Sequence, residues 1–553
     1  MVEPAELPGS AGAGAGVRDV EVLVVGGGPA GLAAAAAARR GGAHVVLVEG
    51  GDDVGGQYWR HLPAERPAAA EERLHHGWST FARLRRTLAG DPGCELFTGA
   101  SVWAVEPGGG RGDLPGAGAL VVRVLVAPAG QADAPARRHL ALRPAALVVA
   151  TGAHDLTLPF PGWDLPGVVT GGAAQAFAKS ERLAVGERVV VAGAGPFLLP
   201  VASSLLATGA RVLEVAEAAG PAQLARGWGA HPHRLLTGGG PGPSGARLSG
   251  VGVLAGKTRE LAGYVAALAA ARVPYRTATG VVAARGDGRV EEVVLARLDA
   301  TWAPVPGTER VVAADALAVS HGFTPRLEVA LAAGAAVAGS GAGAGFVAVD
   351  DRGATSAPGV WAAGEVTGIG GADAALVEGA LAGLAAAEAL GHPAGPEVDG
   401  LLRRRRVLRA FADRLAAAHA PRPGWLAQVT DDTVVCRCEE VTAGRLRSVA
   451  QATASAADAP AGSRSLRLTT RAGLGPCQGR VCGHAVDAVL GCGLPASAST
   501  GSAGSTRPPV SHQRRPLAVP VRLGELADLP PATTPTSPAT SQPSSHPEPE
   551  ETP

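Results

Sequence analysis

Four cysteines lie close together near the C-terminal end of the chain, in two pairs. Cys436 and Cys438 form a CxC pair, and Cys477 and Cys482 form a CxxxxC pair, with 38 residues between the pairs. Four thiolates suit either a zinc ion or an iron-sulfur cluster. Structural zinc sites usually take CxxC pairs, whose two-residue gap fits tetrahedral coordination. The spacing therefore favours an iron-sulfur cluster and leaves zinc open.

A glycine-rich turn near the N-terminus has the pattern of a dinucleotide-binding site. Gly26, Gly28 and Gly31 form a GxGxxG motif directly after the apolar run 22–25. The first glycine permits a tight turn, the second lets the backbone approach a pyrophosphate, and the third lets the helix pack on the strand. Glu49 ends the next strand, where its carboxylate can accept the ribose hydroxyls and would repel a 2′-phosphate. The motif therefore favours FAD or NAD over NADP.

Further residues around this motif are predicted to contact the same cofactor. Pro29 and Ala30 lie inside the glycine turn, at the start of a helix whose N-terminus faces the phosphates. The loop after Glu49 contains Gly56 and Gln57, and such a loop lies along the isoalloxazine in flavoproteins. The alternative for this loop is a plain surface turn.

Two later segments resemble signatures of flavoproteins that have two dinucleotide-binding domains. Residues 150–152 read ATG at the end of an apolar strand, and residues 359–365 read GVWAAGE. Those flavoproteins usually carry Asp at the last position, where it bonds the ribityl chain of FAD, so the glutamate here is a departure by one methylene. The FAD contacts that the resemblance implies are Thr151, Gly152, Gly364 and Glu365.

Between these segments lies a second strand-turn-helix unit, which is a degraded copy of the first. Its turn contains Gly193 and Gly195, but Leu198 stands in place of the third glycine and Ala216 in place of the ribose-binding acid. A leucine there pushes the helix away from the strand, and without the acid the ribose loses its anchor. NAD is therefore a doubtful ligand, and the alternatives are a purely structural domain or a vestigial nucleotide pocket.

The composition describes a neutral chain with ample apolar material. The length of 553 residues predicts about three or four domains, and a hydrophobic content of 46% is ample for buried cores. Lys and Arg number 49, as do Asp and Glu, so there is no global attraction to nucleic acid or to an anionic membrane. No leader-like N-terminus or membrane-spanning run stands out. The crowded cysteines indicate a ligand cluster in a reducing cytoplasm rather than a secreted disulfide scaffold.

The sequence around the cysteines resembles the [2Fe-2S] domain of the bacterioferritin-associated-ferredoxin type. The segments that carry the resemblance are VCRCEEV at 435–441 and GPCQGRVCG at 475–483. Together with the flavin signatures, they resemble the large flavoprotein subunit of heteromeric amine dehydrogenases, such as hydrogen cyanide synthase, opine oxidase and dye-linked proline or hydroxyproline dehydrogenases. The resemblance implies FAD, a [2Fe-2S] cluster on the four cysteines, and a smaller FAD-dependent partner subunit that oxidises a C–N bond.

The expected fold is α/β, with two Rossmann-like dinucleotide-binding domains and a small C-terminal helical [2Fe-2S] domain. The FAD domain is discontinuous and the NAD-like domain is inserted into it. The tail is expected to be too polar and proline-broken to pack, apart from LGELADL at 523–529. The expected boundaries are 1–17 (disordered), 18–178 (FAD domain, first part), 179–310 (inserted domain), 311–395 (FAD domain, second part), 396–430 (helical linker), 431–495 ([2Fe-2S] domain) and 496–553 (Pro/Ser/Thr-rich tail).

These patterns predict a cytoplasmic oxidoreductase subunit that relays electrons from the oxidation of an amino acid, imino acid or opine. No residue stands out as a catalytic base, which fits a relay. No CxxC or CxxxxC pair lies in the segment directly after the first glycine turn, so the redox disulfide of glutathione reductases is missing. Three alternatives remain: a self-sufficient NAD(P)H-dependent reductase, an assembly module with dead cofactor sites, and a zinc-stabilised flavoenzyme.

Overall fold

The computed structural model describes residues 16–63, 66, 71–108, 120–128, 131, 137–229, 245–338, 345–393, 395–455, 463–491 and 513–527. The segment predicted to be disordered lies outside these ranges except for residues 16 and 17. Most of the tail also lies outside them.

Strands and helices alternate along most of the chain, as in Rossmann-like domains. The strands are β1 (Arg18–Val25), β2 (Val45–Val48), β3 (Cys94–Phe97), β4 (Ala100–Pro107), β5 (Leu120–Val126), β6 (Arg138–Val149), β7 (Ala153–Asp155), β8 (Val168–Thr170), β9 (Arg188–Gly193), β10 (Arg211–Glu217), β11 (Tyr275–Arg276), β12 (Thr279–Arg285), β13 (Glu292–Arg297), β14 (Arg310–Ala313), β15 (Ala316–Ser320), β16 (Phe323–Pro325), β17 (Val337–Ala338), β18 (Phe346–Val347), β19 (Val360–Ala362), β20 (Val434–Cys436) and β21 (Val441–Thr442). The α-helices are α1 (Pro29–Gly41), α2 (Trp78–Ala89), α3 (Gly171–Ala176), α4 (Leu198–Ala207), α5 (Pro221–Gly229), α6 (Gly245–Ala270), α7 (Glu328–Ala332), α8 (Ala372–Ala389), α9 (Val398–His419), α10 (Ala443–Ser455), α11 (Ser463–Thr470), α12 (Gly483–Val489) and α13 (Leu523–Ala527).

The first domain is built on a seven-stranded sheet in the order β3-β2-β1-β6-β5-β4, with β19 paired to β6. β1 runs parallel to β2 and β6 at the centre. Every residue of β2 is buried, as expected of a parallel strand covered on both faces. The ends of β1, β2, β6 and β19 therefore bring the first glycine turn and the two flavin-type signatures to one edge of the sheet.

Helices α1 and α8 cross without room for side chains at two points. A Cβ atom on Gly379 would lie 2.0 Å from the carbonyl oxygen of Ala30, and one on Gly383 would lie 2.1 Å from that of Ala34. Glycine is required where two backbones approach this closely. The crossing therefore fixes the start of α1, and with it the glycine turn.

The inserted domain has a parallel sheet in the order β11-β10-β9-β15-β8, with the antiparallel sheet β12-β13-β14 beside it. It begins before the predicted boundary at 179 and ends after 310, because β8 and β15 pair within it. β7 and β16 pair antiparallel and carry the chain between the two domains. These two strands hold the domains side by side.

Helix α9 is a basic helix that docks on the first domain. Its Arg405 and Arg409 form ion pairs with Glu378 of α8. Beyond it, the β20–β21 hairpin and helices α10 to α12 hold the four cysteines around a small apolar core. Within the described ranges, no helix combines the length and apolar character needed to cross a membrane.

The prediction that the tail packs only at 523–529 is wrong for the described residues 513–527. Gln513 is buried and bonds the backbone of Pro325 and Leu327, at 2.8 and 2.6 Å. Apolar side chains at Leu517, Val519 and Val521 pack against the first sheet. Their spacing of two places them on one face of an extended segment, which is why a polar, proline-containing stretch can still bury apolar surface.

Candidate functional site

A cleft of about 2760 Å³ separates the first glycine turn from the inserted domain. Two of the twelve residues predicted to bind the cofactor, Gly31 and Gly364, are not in its lining and support the wall from behind. The other ten line the cleft: Gly26, Gly28, Pro29, Ala30, Glu49, Gly56, Gln57, Thr151, Gly152 and Glu365.

Steric contacts explain the glycines of the first turn. Gly26 has φ of +108°, and a Cβ there would lie 2.3 Å from the carbonyl oxygen of Ala150. A Cβ on Gly31 would lie 1.7 Å from the carbonyl oxygen of Gly26. At Gly28 the nearest atom, Cα of Gly56, is 3.8 Å away. The turn is therefore closed on the strand side and open on the cleft side.

Glu49 lies where the sequence predicts it, at the end of β2. Its Oε2 accepts a hydrogen bond from the Gly27 amide at 2.6 Å, and its Oε1 accepts one from the Gly51 amide at 2.8 Å. These two amides fix the carboxylate at the mouth of the glycine turn. A carboxylate oxygen has a further lone pair, which leaves it able to accept from a ribose hydroxyl.

The loop that contains Gly56 and Gln57 packs directly on the glycine turn. A Cβ on Gly56 would lie 2.8 Å from Cα of Gly28. Gln57 accepts a hydrogen bond from Nε of Arg60 at 2.9 Å. The two backbones therefore touch across the cleft wall, which a plain surface turn would not do.

The second flavin-type signature is tied to a residue that sequence reasoning missed. Thr151 donates from Oγ1 to the carbonyl oxygen of Arg326 at 2.7 Å, and the Arg326 amide donates to Gly152 at 3.0 Å. Burial lowers the pKa of Arg326, which is also one of the residues that line the cleft. No local motif marks this arginine, because the pairing of β7 with β16 alone brings it here.

Glu365, the departure from the usual aspartate, reaches the N-terminus of α8. Its Oε1 accepts hydrogen bonds from the amides of Gly370 at 3.3 Å and Gly371 at 2.7 Å. Burial raises its pKa to about 7, although these two bonds act in the opposite direction. The carboxyl group therefore titrates near neutral pH inside the cleft.

The raised pKa of Glu365 predicts that the free energy of unfolding depends on pH. Its pKa is raised in the folded state from the usual 4.5, so ionisation opposes folding. The contribution of this one group to stability is greatest below about pH 4.5, falls as the pH rises to about 7, and is then constant, with a total loss of about 3 kcal/mol. Glu365→Gln should lack this slope. Urea unfolding of both cofactor-free proteins between pH 4.5 and 8 checks this, and parallel profiles would contradict it.

The prediction that Ala216 replaces the ribose-binding acid of the second turn is wrong, because Glu217 takes that position. β10 contains a bulge between Val212 and Glu214, which inserts one residue and pairs Glu217 with Gly193. The Glu217 carboxylate accepts hydrogen bonds from the Gly195 amide and the Ala219 amide, both at 2.9 Å. Glu217 therefore holds its glycine turn as Glu49 holds the first.

The carboxylate of Glu217 nevertheless interacts with other protein side chains at the position where a ribose would bind. Tyr275 donates from its hydroxyl to Glu217 at 3.1 Å, and Nδ1 of His419 lies 3.5 Å from the same oxygen. Glu217 has no solvent exposure. The helix after the turn begins at Leu198, two positions later than α1 relative to its turn. The ribose position beside Glu217 is thus filled by protein, and the displacement of the helix by leucine stays a prediction.

The four cysteine sulfurs adjoin one another in a chain. The Cys482 thiol is hydrogen-bonded to Cys436 and to Cys477. Cys477 is in turn hydrogen-bonded to Cys438. The Gly473 amide donates to the sulfur of Cys436 at 3.5 Å. Among the residues that the structure describes, no three or more His, Cys, Asp or Glu side chains form a ready metal site. The sulfurs are thus neighbours in pairs, and a bound cluster stays a prediction.

Contact among the thiols shifts their acidities. The thiol of Cys482 lowers the pKa of Cys477 to about 4 and that of Cys436 to about 6. The pKa of Cys482 is raised in return. Burial raises the pKa of Cys438. At neutral pH the group therefore contains thiolates, which are the form that binds metal.

The cysteine loops are bound to the segment that follows the ATG signature. Nε2 of His154 donates to the carbonyl oxygen of Arg480 at 2.7 Å, and Thr157 donates from Oγ1 to that of Val481 at 2.7 Å. The Trp163 indole donates to the carbonyl of Val434. Cys477 itself lines the large cleft. One cleft therefore joins the first glycine turn and the cysteine group.

Comparisons with known proteins support a redox role for this arrangement. The family model described as Pyridine nucleotide-disulphide oxidoreductase matches residues 20–230 and 253–379. The A subunit of opine oxidase from Agrobacterium tumefaciens (strain Ach5) is 30% identical over 526 residues, which cover 92% of each chain. The HcnB subunit of hydrogen cyanide synthase from Pseudomonas aeruginosa is 34% identical over 349 residues, 61% of this chain and 68% of its own. The crystal structure of L-proline dehydrogenase from P. horikoshii shares the fold, with a TM-score of 0.59 at 18% identity, and the match covers 93% of this chain and 81% of that one.

Proposed function

Because the chain belongs to the pyridine nucleotide-disulphide oxidoreductase family and is homologous to the A subunit of opine oxidase, we propose that it is the electron-relaying subunit of a heteromeric amine or amino-acid dehydrogenase. It holds FAD at the first glycine turn and a [2Fe-2S] cluster on the four cysteines. A smaller FAD-dependent partner subunit oxidises the C–N bond of an amino acid, imino acid or opine. Both relatives are named as subunits of a larger enzyme, and this supports the existence of a partner subunit.

The observation that carries this proposal is the continuity of the cleft. Glu49 and Gly28 line it at the glycine turn, and Cys477 lines it at the cysteine group. FAD accepts two electrons and can release them singly, and a [2Fe-2S] cluster carries one at a time. His154 and Thr157 hold the cysteine loop against the segment that follows the ATG signature. This contact supports the proposal that the two sites work together.

The residue types at the two sites suit both groups, although the described cysteines do not form a ready metal site. The glycine turn is open toward the cleft at Gly28, so a pyrophosphate can approach its backbone. The cysteine group offers four sulfurs, and an amide donor at Cys436 is the kind of contact that tunes iron-sulfur clusters. Free cysteines suit a reducing compartment, so we propose that the protein lies in the cytoplasm.

Co-purification tests the proposal. The full chain is expressed with its genomic neighbours, and proline, hydroxyproline, glycine, sarcosine and opines are screened for dye reduction. Turnover is expected only when a smaller flavoprotein co-purifies. Metal and flavin analysis of the same sample separates iron from zinc, and a colourless protein would indicate dead cofactor sites. Full turnover by this chain alone would overturn the relay.

The alternative of a self-sufficient NAD(P)H-dependent reductase is not favoured. Glu217 would have to release Tyr275 or His419 before it could bind a ribose. We therefore expect NADH to leave the flavin spectrum unchanged in the dead time and first seconds of a stopped-flow experiment, while dithionite bleaches it. Rapid bleaching by NADH would restore the alternative.

A further inference from the structure

The chain contains only two lysines, and both line the cleft. Lys and Arg together number 49, so the other 47 are arginines. Lys179 follows α3, Lys257 lies in α6, and both belong to the wall formed by the inserted domain. Lysine differs from arginine in its compact charge and in a pKa that shifts readily on burial. In a chain that otherwise uses arginine, two lysines in one cleft indicate a local chemical requirement.

The surroundings of the two lysines differ. Nζ of Lys257 lies 2.9 Å from Asp373 and 3.0 Å from Glu260. Although burial opposes it, these carboxylates raise the pKa of Lys257. Lys257 is thus a paired cation, whose charge is balanced by the protein itself.

Lys179 is buried without a counter-ion among the residues that the structure describes. It is 4% exposed, and Nζ donates to the carbonyl oxygen of Tyr58 at 3.0 Å. The same nitrogen lies 5.4 Å from the centre of the Tyr58 ring. An ammonium group has three donors, so two remain for another acceptor. A buried charge without an opposite charge is costly, unless a ligand supplies one.

The acids close to Lys179 in the fold or the sequence are committed elsewhere. Glu71 is paired with Arg182 and lies 2.9 Å from Nδ1 of His75. Glu181 lies 3.8 Å from Arg66. None of these pairs involves Lys179.

The neighbouring tyrosine does not balance the charge either, because burial raises the pKa of Tyr58 and keeps its phenol neutral. The positive charge of Lys179 therefore faces the cleft uncompensated.

The backbone at Lys179 is also unusual. Residues Phe177–Glu181 form a π-helical turn that continues α3. Such turns are rare and occur frequently at functional sites. Burial lowers the pKa of Lys179 to about 8, so the amine is still mostly protonated at neutral pH.

We infer that Lys179 anchors the anionic group, a phosphate or a carboxylate, of a ligand that binds in the cleft beside Tyr58. The inference does not depend on the proposed function, because any anion in the cleft would satisfy the charge. The anion comes from one of two sources, which the test distinguishes. One is the pyrophosphate of a dinucleotide on the first glycine turn, and the other is a separate small molecule.

The test uses the full chain without cofactor, in the wild-type form and as Lys179→Met, Lys179→Arg and the control Lys257→Arg. Inorganic phosphate, acetate and FAD are titrated, with binding followed by thermal shift and, for FAD, by fluorescence. Lys179→Met should lose at least about tenfold in affinity for the bound anion, because a charge-assisted hydrogen bond is removed. Lys179→Arg should keep part of the affinity, and Lys257→Arg should keep all of it.

Loss of FAD affinity together with phosphate affinity would assign the anion to the dinucleotide. Loss for phosphate or acetate alone would assign it to a separate ligand. In Lys257→Arg, Lys179 is the only lysine, so ¹³C-dimethylation followed by NMR reads its titration directly, even if Lys179→Met does not fold. Its pKa should rise when the anion is added. The inference is overturned if the resonance does not respond to phosphate, acetate or FAD, or if Lys179→Met binds all three as the wild type does.

Discussion

Replacement of Cys482 by serine is expected to remove iron from the purified protein while FAD remains bound. Cys482 is buried and is hydrogen-bonded to both Cys436 and Cys477, so it is the central member of the sulfur group. A serine oxygen is a poor substitute for a thiolate in a cluster of soft ligands. Iron should fall to background, and the broad visible absorbance beyond the flavin bands should disappear. Transfer of electrons to a one-electron acceptor should fall at least about a hundredfold, since the relay is broken.

Cys94→Ser is the matched control. Cys94 lies half-buried on β3, packed against the core of the first domain, and burial raises its pKa to about 11. A thiol of this kind is an inert small hydrophobe, so the variant should keep its iron and lose about 1 kcal/mol of stability. Iron assays with a zinc determination decide between the outcomes. Full iron in Cys482→Ser, or equal loss in both variants, would show that the cysteines do not hold a cluster.

The first glycine turn could be predicted from sequence because its constraints are local. Gly26 has a positive φ in the turn, Gly31 packs on the carbonyl oxygen of Gly26, and the acid at Glu49 follows at a fixed distance. Such short-range geometry leaves a signature in residue type and spacing.

The second glycine turn shows where counting fails. Position counting gives Ala216 as the equivalent of Glu49, whereas the bulge in β10 places Glu217 there. A bulge adds one residue to one strand and exchanges the faces of all residues after it. No residue type in that strand marks the bulge, so the register became visible only in the pairing of β10 with β9.

Residues brought together over long sequence distances could not be predicted at all. Arg326 reaches Thr151 through the pairing of β7 and β16, and Gln513 reaches Leu327 across 186 residues. Lys179 belongs to the cleft because the inserted domain faces the loop at Tyr58. In each case the side chain has an ordinary local sequence, and its role follows from tertiary contacts.

Gly31→Ala is expected to abolish FAD binding and to destabilise the first domain. The new Cβ would lie 1.7 Å from the carbonyl oxygen of Gly26, so α1 or the turn must move. Helix α1 cannot shift outward, because Gly379 and Gly383 of α8 already touch its backbone. Forced overpacking of this kind costs about 3 kcal/mol or more. The displaced turn should also weaken FAD binding at least about a hundredfold, because the amides no longer face the pyrophosphate.

Gly256→Ala separates this steric effect from a general effect of losing a glycine near the cleft. Gly256 lies in α6 and lines the same cleft, but no atom lies within 4 Å of its would-be Cβ. Alanine favours a helix over glycine by about 1 kcal/mol, so this variant should keep its flavin and unfold at equal or higher denaturant concentration. Flavin content and urea unfolding of both variants give the comparison. If Gly31→Ala retained flavin and stability like Gly256→Ala, the turn would not be the dinucleotide site, because a cradle that tolerates a methyl group there cannot hold its amides against a pyrophosphate.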